Sequence, residues 1–168
     1  MNLNDLKNES SVLLDANIFI YALQKLSRQS ERLLDRCSRG EILGIVPLPV
    51  LAEVMHRMMI TEARDNNWIS GSNPSKSLSG KPDRVRSLTR YESYMKDILT
   101  MGFQFEPLDC EDFIAAMAVQ RTAGLLTNDA LLVAVGERLK VFAIASADQA
   151  FSKVSAMVLY SPSDLEGK

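Results

Sequence analysis

Apolar residues recur along the chain in two rhythms. Short continuous runs, VLL (12–14), ILGIV (42–46), FAIA (142–145) and MVLY (157–160), are bounded by polar or turn residues and predict buried strands. Between them, apolar positions return every three or four residues, as amphipathic helices require. After VLLD (12–15), the positions Ile18, Tyr21 and Ala22 predict a helix. A second follows from about Ser30, with Leu33, Leu34 and Cys37 as its stripe and Gly40 as its stop. PVLAEVMHRMMITEA (49–63) predicts a third, with Pro49 in its first turn, where proline is tolerated.

The segment 64–82, DNNWISGSNPSKSLSGKPD, is rich in Ser, Asn, Gly and Pro and has little periodicity, so a long surface loop is expected. A helix over 83–100 then carries Val85, Leu88, Tyr91, Met95 and Ile98 inward, and FQFEPL (103–108) is a strand. DCEDFIAAMAVQRTA (109–123) has an acidic first turn suited to a helix N-terminus, and TNDALLVAVGERL (127–139) is a further helix capped by Thr127 or Asn128. KVFAIAS (140–146) is a strand, ADQAFSKV a short helix, and MVLY the last strand. Strands alternating with helices require crossover connections. The expected fold is an α/β/α sandwich with a central, mainly parallel sheet. No repeat or linker divides the 168 residues, and they are expected to form a single domain, 1–168.

Composition and charge narrow the function. The formal net charge is −2, so no overall positive field marks a nucleic-acid binder, and any such role needs a local patch or a metal. One candidate patch runs from Lys76 to Lys96, where six basic residues stand against Asp83 and Glu92, a net +4; Trp68 and Tyr91 are available there for base stacking. Cys37 and Cys110 form neither a CxxC motif nor a disulfide framework, which points to reduced thiols in a cytoplasmic protein. The N-terminus lacks signal-peptide character, and no apolar run reaches the ~20 residues of a membrane span, so no membrane partner is expected.

Four acids stand out by position. In open α/β sheets, ligands gather beyond the carboxyl ends of strands. Asp15 ends the first strand between two apolar runs, Asp148 follows KVFAIAS, Asp129 opens the helix before that strand, and Glu53 lies early in the helix after ILGIVP. Singly, each aspartate suits a helix cap, and Glu53 suits a solvated helix face. Together they define a set of carboxylates that repel one another unless a cation binds. Magnesium and manganese prefer such oxygen donors, activate water, and neutralise charge on a phosphodiester. The chain has no glycine-rich phosphate loop, GxSxG, HExxH or cysteine nucleophile motif to rival this set.

The stretches LLDANIFIYAL, PVLAEVMHR, LLTNDALLVAV and FAIASADQAF resemble the four acidic motifs of PIN domains, in the family's order and across nearly the whole chain. The resemblance implies a Rossmann-like fold and a Mg2+- or Mn2+-dependent endoribonuclease, as in toxin ribonucleases of the VapC kind. On that basis Asp15, Glu53, Asp129 and Asp148 are the catalytic and metal-binding acids, while Asn17 and Ser146 orient substrate or water. Metal-activated water would attack an RNA phosphodiester, leaving a 5′-phosphate and a 3′-hydroxyl. The implied partners are RNA, an antitoxin protein and a second copy of the chain. The chain exceeds a minimal member by an insertion around 64–90. The alternatives are an inactive PIN-like module that binds RNA or protein, and an RNase of RNA processing rather than a toxin. A haloacid-dehalogenase-type phosphatase would want a second aspartate two residues after the first, where this chain has Asn17.

His56, the only histidine, shares a helix face with Glu53, and packing or solvation accounts for it. An N-terminal charge preference suffices for Asp109, Glu111 and Asp112. Met55, Met58 and Met59 read as core or interface filling.

Overall fold

A computed structural model describes residues 1–165. Five strands, β1 (Ser11–Leu14), β2 (Leu43–Pro47), β3 (Gln104–Glu106), β4 (Ala143–Ala145) and β5 (Val158–Tyr160), form one sheet in the order β3-β2-β1-β4-β5. Every pairing is parallel. Central β1 is buried on both faces, which explains its unbroken run Val12, Leu13, Leu14. Its register sets Leu13 beside Ile45 on one side and beside Ile144 on the other.

Eight α-helices complete the described fold: α1 (Ala16–Leu23), α2 (Arg28–Ser38), α3 (Leu48–Asp65), α4 (Pro74–Ser79), α5 (Pro82–Arg86), α6 (Arg90–Thr100), α7 (Cys110–Ala123) and α8 (Thr127–Leu139). From β1 to β3 the chain steps steadily towards one sheet edge; after β3 it returns across β1 to β4. Right-handed crossovers therefore place α7 and α8 on the face opposite α1 to α3. Helix α8 is the central buried helix, with Ala130 to Gly136 all inaccessible. Gly136 allows it to approach the sheet: a Cβ there would lie 2.5 Å from Leu13 Cδ1 and 2.8 Å from the Val141 carbonyl oxygen.

Residues 64–82 depart from the expected loop. Helix α3 continues to Asp65, and the proline-led helices α4 and α5 follow. They cover a second apolar cluster of Ile60, Ala63, Ile69, Leu78 and Leu88, separate from the main core. The isolated apolar residues Ile69 and Leu78 are too widely spaced to give a helical period, yet together they close over α3. The expected helix 83–100 is two helices, α5 and α6, broken between them. Leu88 fills the second cluster, and the buried carboxylate of Glu62 on α3 receives the start of α6. That carboxylate accepts backbone hydrogen bonds from Thr89 (2.9 Å), Arg90 (3.1 Å) and Tyr91 (2.8 Å). A side chain from α3 thus performs the capping that Thr89 does not.

Other boundaries shift for local reasons. The N-cap of α8 is Leu126, without a side-chain cap, rather than Thr127 or Asn128. Strand β4 is shorter than KVFAIAS because α8 ends in a left-handed residue, Lys140 (φ +58°), before the chain can extend. ADQAFSKV becomes the 3-10 helix Gln149–Lys153, capped by Asp148. Cys37 is buried and Cys110 exposed, both as free thiols. Among the described residues, no helix is long and apolar enough to cross a membrane.

Candidate active site

Strand order reverses at β1: its first connection leads to β2 on one side, and β4 arrives later on the other. Such a switch point opens a crevice at the carboxyl ends of the two strands. Asp15 follows the last residue of β1, and Ser146 the last residue of β4. The Asp15 backbone N–H donates to the Ala145 carbonyl at 3.1 Å, which carries the ladder one step beyond the strands and fixes the spacing of the two side chains.

Ser146, Asn17 and Asp15 interlock there. Asp15 caps α1, with Oδ1 accepting from the Ala16 N–H at 2.6 Å. Its Oδ2 accepts from Ser146 Oγ at 2.5 Å and from Asn17 Nδ2 at 2.5 Å. Ser146 is wholly buried, and its Oγ accepts from Asn17 Nδ2 at 3.0 Å and from the Asp148 N–H at 2.9 Å. Asn17 Oδ1 accepts from the Ala147 N–H at 3.1 Å. One hydroxyl and one amide therefore lock the loop after β4 to the start of α1. Asp148, in that loop, caps the following 3-10 turn through Oδ1 and the Ala150 N–H at 2.8 Å, and the residue is exposed.

Glu53 reaches the same region from the second turn of α3. Its Oε2 accepts from Asn128 Nδ2, in the first turn of α8, at 3.1 Å, and its Oε1 lies 3.6 Å from Arg57 Nη1, one turn along α3. Asp129 follows Asn128, so Glu53 is tied to the helix turn that carries the fourth acid.

The electrostatics bring the four together. Burial raises the Asp129 carboxyl to about 6, and the negative charges of Asp15, Asp148 and Glu53 add to the rise. Asp15 is also raised, chiefly by burial, with Glu53 and Asp148 contributing in the same direction; Ser146 and the Ala16 N–H oppose them. Acids from β1, α3, α8 and the loop after β4 thus share one field, though they come from positions spread over more than a hundred residues. Among the described residues, no three His, Cys, Asp or Glu side chains close on one point tightly enough to hold an ion as they stand. The donor set still fits a hard divalent cation. Every donor is oxygen, the charges repel one another, and Mg2+ usually takes one or two carboxylates and keeps several waters.

Three further residues have roles at or beside the site that differ from their reading in the sequence. Asn128 is freed from capping and orients Glu53 instead. Arg57 is ion-paired to Glu53, and its i,i+4 spacing from that acid was the available signal. His56 Nε2 lies 2.9 Å from Ser75 Oγ and so ties α3 to α4; nothing in the sequence pairs those positions. Trp68, a sequence candidate for base stacking, is half-buried and has Arg84 Cζ 5.0 Å from its ring centroid. Asp112 is buried within a capping box and holds Arg138 through two hydrogen bonds, of 2.8 and 3.0 Å.

A five-stranded parallel sheet with four acids at its switch point defines a Rossmann-like α/β protein with an acidic site at the strand ends. The PIN domain model matches residues 12–157, and the chain belongs to the PIN domain family. No curated protein matches it. Among solved structures it resembles a chain of VapBC2 from Rickettsia felis, in a complex bound to a DNA fragment from its promoter. Identity is 13% and the TM-score 0.56, over 90% of this chain and 98% of that one. It also resembles a chain of a toxin–antitoxin complex from Klebsiella pneumoniae. Here identity is 14% and the TM-score 0.55, over 88% and 95% of the two chains. At these identities the likeness shows the fold.

Proposed function

We propose that this protein is a Mg2+- or Mn2+-dependent endoribonuclease and the toxin of a toxin–antitoxin pair. The observation that carries the reading is the gathering of four acids at the strand switch point, where burial first, and then the charges of Asp15, Asp148 and Glu53, raise the Asp129 carboxyl, in a chain of the PIN family. Four carboxylates gathered at a strand switch point suit a cation far better than they suit a binding module without one. Glu53, Asp15, Asp129 and Asp148 would hold the ion, directly or through water. When bound, such an ion supplies activated water and neutralises charge on the scissile phosphodiester.

The chain's own residues prepare that site. Ser146 and Asn17 hold Asp15 Oδ2 in a fixed direction, so that no side-chain search is needed when substrate arrives. Asn128 holds Glu53 towards α8. Hydrolysis would leave a 5′-phosphate and a 3′-hydroxyl. RNA is the proposed substrate, and an antitoxin protein and a second copy of the chain are the proposed partners, in the cytoplasm. The two similar structures support the antitoxin, because one is a VapBC assembly and the other a toxin–antitoxin complex. Phe113, Ile114 and Met117 on the outer face of α7 are exposed and offer apolar surface for such contacts. The residues 64–90 are proposed as an insertion within a single PIN domain.

End-labelled RNA of mixed sequence, incubated with the purified chain and Mg2+ or Mn2+, tests the reading. Wild type should cut it, chelation should stop the cut, and Asp15→Asn should abolish it. Equal product from wild type and Asp15→Asn would overturn the enzyme and leave the binding module.

A further inference from the structure

Most cations of the basic segment 76–96 have partners away from the four acids. Arg86 is paired with Asp83, Arg90 with Asp65, and Lys96 with Glu92. Lys81 Nζ donates to the Trp68 carbonyl, and Arg84 lies over the Trp68 ring. The partners of these five cations lie in the segment or at its base, and none of them is one of the four acids. Lys76 is exposed, and among the described residues it has no ion pair.

Lys76 also has the most telling position. Its neighbour Ser75 bonds His56, and His56 precedes Arg57 on α3. The contact sets the start of α4 against the stretch of α3 that follows Glu53. Among the described residues, Arg57 is the only cation ion-paired to any of the four acids. That pair is a single 3.6 Å contact on a side chain 55% exposed, so most of the five guanidinium donors remain open. An ion pair so long and so exposed is weak and easily exchanged for a phosphate, which a guanidinium can grip with two parallel hydrogen bonds.

We propose that Arg57 and Lys76 form a phosphate-binding edge beside the acidic site, along which single-stranded RNA leaves the cleavage centre across α3 towards α4. This rests on the nuclease reading above and adds a substrate path to it. The edge gives the α4 region a function: α4 is held against α3 where a strand departing from Glu53 would pass. It also supplies positive charge where the acids would otherwise repel the flanking phosphates, in a chain whose net charge is −2.

The test measures binding separately from cleavage. Fluorescence anisotropy of a labelled single-stranded RNA is followed with Mg2+ on the full chain carrying Asp15→Asn, across a salt series. Arg57→Ala and Lys76→Ala, each added to that background, should weaken binding several-fold. Each should lower the slope of log affinity against log salt by about 0.7, the value for one contact to a single strand. Arg57→Lys should keep the slope, and Arg86→Ala, which removes a cation whose partner Asp83 is not one of the four acids, should change neither quantity. In the cleaving chain, Lys76→Ala should raise KM with little change in kcat. If Arg57→Ala lowers kcat while affinity and slope stay unchanged, Arg57 only orients Glu53, and the edge is overturned. The edge is equally overturned if both alanine variants bind like their parent. If the parent binds no RNA at all, the ribonuclease reading fails first and the edge with it.

Discussion

Ser146 donates its hydroxyl to Asp15 at 2.5 Å, joining the ends of β1 and β4 across 131 residues of chain. The bond does two things at once. It closes the crevice at the strand switch point to a fixed width, and it favours the ionised form of Asp15 against the burial that raises its carboxyl. Ser146→Ala should therefore push the Asp15 carboxyl further above its ordinary value. A hydrogen bond to a charged group is worth ~1.5–3 kcal/mol, which sets the stability loss expected near neutral pH. Carboxyl-carbon NMR titration and urea unfolding check the two effects.

Asp129 should make the metal-free chain sensitive to pH. Its folded carboxyl stands at about 6 against an ordinary 3.8. A raised acid contributes stability that is fully present below its unfolded value and lost as pH rises through the folded one. The metal-free chain should thus melt at progressively lower temperature as pH climbs from the ordinary value to the folded one. Asp129→Asn should flatten the fall, and Mg2+ should recover part of it in wild type only. A melting temperature with the same pH slope in both chains would remove Asp129 as the source.

Glu62 behaves in the opposite sense. Burial pushes its carboxyl up, but three backbone N–H groups and Arg90 outweigh that and hold it below the ordinary 4.5. Its contribution is present above that value and lost as pH falls through the folded one. Glu62→Ala leaves three donors at the start of α6 without their partner, and a loss of ~2 kcal/mol or more is expected. Hydrogen exchange should locate it, with faster exchange at Thr89, Arg90 and Tyr91 and little change in the amides of β1.

Gly136→Ala should destabilise the core by ~1–3 kcal/mol, because the added Cβ meets both Leu13 and the Val141 carbonyl at less than contact distance. The alanine gains helix propensity of ~1 kcal/mol, so an unchanged or raised urea midpoint would mean that α8 can move off the sheet without cost.

Arg138 bridges Glu106, the last residue of β3, and the buried Asp112 of α7. Arg138→Met would strand the Asp112 charge, and a loss of ~3–5 kcal/mol is expected. The paired change Arg138→Met with Asp112→Asn should recover much of it in the same unfolding measurement.

The local pattern by itself determined the strands and most of the helices. Val12, Leu13 and Leu14 can only be buried, and the alternation of such runs with helical periods leaves a parallel sheet as the economical arrangement. Asp15 and Asp148 were legible as candidates for the same reason, because the carboxyl ends of parallel strands lie along one edge of the sheet. Residues 64–82 were not legible as structure. Their apolar residues are few and irregularly spaced, and they find burial against Ile60 and Ala63 of α3 rather than against one another. Capping was likewise a tertiary decision, since Glu62 serves α6 from another helix and leaves nothing in the sequence of α6 to read. So was the setting of the acids. Only the packing of α8 on α3 takes Asn128 from a cap to Glu53, and only the register of β1 on β4 aims Ser146 at Asp15. Sequence determines which side chains are charged and how they are spaced along one element. The distance between charges on different elements, and hence the field that raises Asp129, exists only once the chain has folded.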